Sequence, residues 1–111
     1  MRRIPLAVAV LLSLVLLFTP ASGVPTAPPG TDKVIHLLLF ALLAVTGRWA
    51  GLRWDLLLAA LAAYAGISEV LQATLPIGRH GDVWDALVDV TGAVLGLAGV
   101  ALTARRRRTR T

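Results

Sequence analysis

A chain of 111 residues with 57% hydrophobic and 15% charged residues and a mean hydropathy of +0.77 is one small unit, too apolar for an ordinary soluble domain. A soluble helical bundle would carry a charged face along each helix, and long runs here carry none. The net charge is +5, with the basic residues concentrated in Arg105, Arg106, Arg107, Arg108 and Arg110, a juxtamembrane pattern and not a nucleic-acid footprint; the absence of cysteine excludes disulfides, thiolate metal sites and a cysteine nucleophile.

In chain order, the first apolar run goes from Ile4 to Phe18 and ends in a connector rich in Pro and Gly, Thr19 to Thr31, that cannot continue a helix. A second run extends from Val34 to Gly47. A third goes from Leu56 to Leu75, with Glu69 inside it, and a fourth from Val83 to Ala104. The reading is an all-α membrane protein, a bundle of four transmembrane helices at about 4–19, 32–50, 55–75 and 83–104, followed by a basic cytoplasmic tail at 105–111.

Orientation follows from the basic residues. Arg2, Arg3, Arg48, Arg53 and the five arginines after Ala104 fall on one side of such a bundle, and Lys33 and Arg79 on the other, which places both termini in the cytoplasm. Trp49 and Trp54 then mark the inner interface and Trp84 the outer one. A competing reading takes residues 1–23 as a cleavable secretory signal, since Arg2-Arg3, a short apolar core and Ala21-Ser22-Gly23 fit that class too. Cleavage would leave three spans without inverting them.

A helix needs about 20 residues to cross the hydrocarbon core. Only 14 residues separate Lys33 from Arg48, 13 separate Asp55 from Glu69 and 15 separate Asp89 from Arg105, so the last three helices must take polar residues into the membrane. Counted from the inner ends, Glu69 lies about 9 Å inside the outer boundary, with His36 and Asp89 at comparable depth and Asp85 nearer the surface. The spacings are helical as well: Asp32 and His36 are four apart, Glu69 and Gln72 three apart, and Asp82, Asp85 and Asp89 follow i, i+3, i+7. Three stripes therefore converge on one outer layer, with Ser68 and Tyr64 extending the stripe of the third helix. Gly92, Gly96 and Gly99 continue the face of the fourth helix and suit close packing, read as intramolecular in preference to dimer-forming.

The candidate ligand-binding residues are Asp32, Lys33, His36, Ser68, Glu69, Gln72, Arg79, Asp82, Asp85 and Asp89. Five acids face only Lys33 and Arg79 there if His36 and the loop residue His80 are neutral, so a carboxyl must be protonated, reach water, or meet a cation. One reading makes the ionic residues fasteners of three helices. Another makes His36, Glu69, Asp85 and Asp89 candidate ligands of a divalent cation, although no tight metal motif such as H-E-x-x-H is present. No P-loop or Rossmann pattern appears, and no organic cofactor is expected. Lys33 and Arg79 suit a lipid or undecaprenyl-type phosphate, with His36, Glu69 and Asp85 the candidate acid-base residues if the site is catalytic. No G-x-S-x-G surrounds Ser68, and the balance leans away from an enzyme.

The order of motifs resembles the VanZ-like family of small bacterial membrane proteins. The resemblance is carried by Asp32-Lys33-Val34-Ile35-His36 with Phe40, by Ser68-Glu69-Val70-Leu71-Gln72, and by Arg79 with Asp82, Asp85, Asp89 and Gly92. One departure stands out: the family pattern carries Asn at the position of Asp89, and an ionised Asp accepts hydrogen bonds where an Asn also donates. The resemblance implies a multi-pass protein of the bacterial cytoplasmic membrane with a role in the cell envelope, linked to resistance to the glycopeptide antibiotic teicoplanin. The expected partners are membrane lipid and a lipid-linked cell-wall precursor held in an outward-facing polar pocket. Nucleic acid is not among them. An enzyme modifying such a lipid, and a proton or ion relay, are the alternatives; the oligomeric state is left open.

Overall fold

The computed structural model describes residues 1–19, 30–76 and 83–109. The described residues form four helices: α1 (Arg3–Phe18), α2 (Thr31–Trp49), α3 (Trp54–Thr74) and α4 (Val83–Thr109). The fold is all-α. The fourth helix runs five residues beyond its expected end at Ala104, because arginine is a good helix former and its charge complements the negative end of the helix dipole.

The turn between α2 and α3 shows how the chain reverses. Ala50 ends α2, and Gly51 takes φ +96°, a left-handed conformation open to glycine at little cost. The Gly51 N–H then donates to the Arg48 carbonyl at 3.0 Å and the Leu52 N–H to the Gly47 carbonyl at 3.1 Å, which satisfies carbonyls the helix end would otherwise orphan. Arg48 adds a bond from Nη1 to the Leu52 carbonyl, and Arg53 pairs with Asp55 at 2.7 Å. Arg2 at the start of α1 sits over the Trp49 ring, so basic and aromatic residues from three helices gather at this end.

The most extensive contact is between α2 and α4; α3 packs mainly on α4, and α1 on α2. The core is made by Ala9, Phe40, Leu43, Ala44, Leu57, Leu61, Ala65 and Ala93, with Tyr64 tilted against Phe40 at its edge. Glycines let α2 and α4 approach. A Cβ on Gly96 would lie 2.6 Å from the Ala41 carbonyl, and one on Gly92 would overlap the Leu37 carbonyl. Gly92 and Gly96 thus serve packing within the chain, as read from their spacing, whereas a Cβ on Gly99 would meet nothing.

The distribution of polarity is inverted relative to a water-soluble protein. Leu11, Leu38, Leu56, Val70 and Leu95 are exposed on the four helices, while Ser13, His36, Ser68, Glu69, Gln72, Asp85 and Asp89 are buried. Among the described residues two helices, α3 and α4 over Val83–Arg107, are long and apolar enough to cross a membrane. The 16 residues of α1 are apolar but short, and α2 carries Asp32, Lys33, His36 and Arg48 within 19 residues.

Candidate functional site

The site lies where the first half of α2, the second half of α3 and the first two turns of α4 meet. Because α2 and α4 run parallel, residues at matching heights pair in sequence order. Lys33 Nζ donates to Asp85 Oδ1 at 2.8 Å, and one turn further His36 Nδ1 stands 2.7 Å from Asp89 Oδ1. The helical spacings 33/36 and 85/89 put each set on one face, and the glycine seam below brings those faces together.

Burial separates the members. Asp89 is fully buried and His36 nearly so; Asp85 is buried beside a half-exposed Lys33. Asp32, one turn before His36, keeps its side chain 58% exposed and reaches His36 Nε2 at 3.7 Å, an ionic contact longer than a hydrogen bond. This agrees with its position at a helix start, where an acid suits the dipole and reaches water.

Glu69 comes from α3 and is buried. Its carboxylate, His36 and Asp89 each offer a ligand atom within 4.8 Å of the others, so three helices contribute to one point. A second such group joins Asp32, His36 and Asp85. Among the described residues Asp89 Oδ2 is buried with no hydrogen-bond partner, although Oδ1 of the same carboxylate is used.

Two residues read from the sequence as ligand-binding have structural work. Gln72 donates from Nε2 to the Leu17 carbonyl at 2.8 Å, one of the last four carbonyls of α1, which have no partner inside that helix. Ser68 donates to the Ala65 carbonyl within its own helix at 2.9 Å. Both are buried, and these hydrogen bonds go to backbone carbonyls and not to His36, Glu69 or Asp89. Arg79 and Asp82, along with His80, lie outside the described residues.

Ser13 was not among the candidates, yet it is fully buried. It donates to the Val10 carbonyl, and the Tyr64 hydroxyl meets it at 2.8 Å, tying α1 to α3. Its only signal in the sequence is a single hydroxyl inside an otherwise apolar run.

A family model described as VanZ/LLP1 matches residues 8–104. The chain belongs to this family. The VanZ/LLP1 match runs from α1 to α4 and encloses the whole buried cluster, so the polar residues belong to the family domain and not to an appendage. No curated protein and no solved structure was found to match the chain.

Two surface grooves lie elsewhere. One, of about 640 Å³, is lined by Arg3, Leu6, Val10 and Leu52; the other, of about 390 Å³, by Arg48, Trp54, Leu58 and Leu97. Their walls are mostly apolar and carry no acid-base constellation.

Proposed function

We propose that this VanZ/LLP1 protein is a four-span protein of the bacterial cytoplasmic membrane, with both termini in the cytoplasm and a polar pocket open to the outer leaflet. The pocket binds the phosphate head group of a lipid-linked cell-wall precursor. The observation that carries this reading is the inverted polarity: an apolar exterior around a buried cluster drawn from three helices. Lipid cannot satisfy these groups, at about 2.5 to 3.5 kcal/mol per mid-helix charge on insertion scales, so a cluster of this kind is retained for use.

Lys33 stands at the mouth of the cluster, half-exposed, and supplies one cation for a phosphate. Arg79, read from the sequence, supplies the second. Family membership supports the envelope role and, with it, a contribution to teicoplanin resistance. Purified protein in nanodiscs is expected to bind polyprenyl phosphate, with at least tenfold weaker binding in Lys33→Ala or Arg79→Ala. Absence of binding, or equal binding by both variants, would contradict the reading.

The 2.7 Å contact between His36 and Asp89 supports a second reading, a membrane-embedded enzyme acting on the same lipid phosphate. An aspartate that orients a histidine is a common acid-base arrangement, and Glu69 lies beside it. Release of inorganic phosphate or a change of head group in detergent, lost in His36→Gln, separates catalysis from binding.

A further inference from the structure

We propose that His36, Glu69 and Asp89 form a site for a divalent transition cation, Zn²⁺ or Mn²⁺, and that this cation bridges the protein to the phosphate of its lipid ligand. The proposal rests on the reading of the cluster as a lipid-phosphate site and explains how such a site works. Without a cation the cluster has the wrong charge for a phosphate. Asp85 already pairs with Lys33, and in the sequence the five acids Asp32, Glu69, Asp82, Asp85 and Asp89 outnumber Lys33 and Arg79. A divalent ion reverses that sign.

Three observations converge on the buried triad. First, the donor types fit: one imidazole and two carboxylates suit a cation of intermediate softness and leave coordination positions for a phosphate oxygen. Second, the ligand atoms lie within 4.8 Å of one another and come from α2, α3 and α4. Ligands of a tetrahedral site with bonds of about 2.1 Å stand roughly 3.4 Å apart, a spacing within the 4.8 Å limit that these atoms meet. Third, Asp89 Oδ2 is fully buried and lacks a hydrogen-bond partner among the described residues. Such an atom is costly in an apolar environment unless something binds it.

Charge balance supports the same occupant. A neutral imidazole, two carboxylates and a divalent ion sum to zero, the net charge a low-dielectric surrounding favours. The neighbouring group of Asp32, His36 and Asp85 is a poorer host, because Asp85 is engaged by Lys33 and Asp32 is open to water.

The test uses the full chain, purified without a polyhistidine tag and exchanged into nanodiscs after chelator treatment. On titration with Zn²⁺ or Mn²⁺, one equivalent is expected by elemental analysis. The His36→Gln, Glu69→Gln and Asp89→Asn variants should each bind at least tenfold more weakly, while Asp55→Asn, which removes an acid at the opposite end, should bind as the parent does. Binding below one tenth of an equivalent, or equal binding by the triad variants, overturns the proposal. Polyprenyl phosphate is measured in the same samples with and without chelator. Lipid binding that is insensitive to chelator overturns the bridging role and leaves the lipid-binding reading intact. One equivalent of metal with no lipid binding upholds the metal site and refutes that reading.

Discussion

The seam between α2 and α4 is built in two different ways along its length. At one end it is held by charge, through Lys33 with Asp85 and His36 with Asp89. Further along it is held by shape, through Gly92 and Gly96 set against the backbone of Leu37 and Ala41, with Phe40, Leu43 and Ala44 buried alongside. The apolar part needs no partner charges and loses nothing to desolvation. The polar part removes charges from solvent, and buried ion pairs often contribute no more than a well-packed apolar replacement would. If the glycine contacts alone hold α2 against α4, the polar end is available for the ligand-binding use proposed above; if they do not, it is a fastener.

The sharpest way to break this comparison is to disturb each end separately. Asp89→Val alone should cost about 3 kcal/mol or more, because it removes the 2.7 Å contact of the buried His36. His36→Leu combined with Asp89→Val should recover at least half of that loss, since it replaces the pair by apolar groups of similar volume. Thermal unfolding in detergent reads both values. A double variant as unstable as the single one would make the polar end structural after all.

The next effect in size is at the apolar part. Gly92→Ala should cost about 2 kcal/mol by forcing α2 and α4 apart at the Leu37 carbonyl, whereas Gly99→Ala, which meets open space, should change stability by less than about 0.5 kcal/mol. Equal melting temperatures for the two variants would show that the close approach does not hold the bundle together. The smallest effect belongs to the exposed pair at the basic end. Arg53→Ala should cost no more than about 0.5 kcal/mol, since Arg53 and Asp55 are both substantially exposed to solvent.

Much of the site can be read from spacing alone. Helical periodicity places Asp32 with His36 and Asp85 with Asp89, and the shortage of uncharged residues between charges forces those groups into the bundle. Periodicity describes each helix separately, however, and says nothing of the rotation of one helix against another. It therefore does not tell which base meets which acid: the pairing of Lys33 with Asp85, and of His36 with Asp89, emerges only once the glycine seam sets the register. The role of α1 is hidden for a related reason. Gln72 looks like part of a polar stripe, but its amide is spent on the Leu17 carbonyl, a backbone need at a helix end that no side-chain pattern records. The continuation of α4 to Thr109 is hidden in the sequence because a run of arginines reads first as a tail and only second as a good helix.

The two ends also differ in the side of the membrane each should face, and this can be measured directly because the chain has no cysteine of its own. Asp32 at the polar end and Arg53 at the basic end are both exposed, with side chains 58% and 72% accessible. Single cysteines at these two positions can be treated in intact cells with a thiol reagent that does not cross membranes. The account predicts labelling of position 32 in intact cells and of position 53 only after permeabilisation; the reverse pattern, or labelling of both positions from outside, would contradict a polar site open to the outer leaflet.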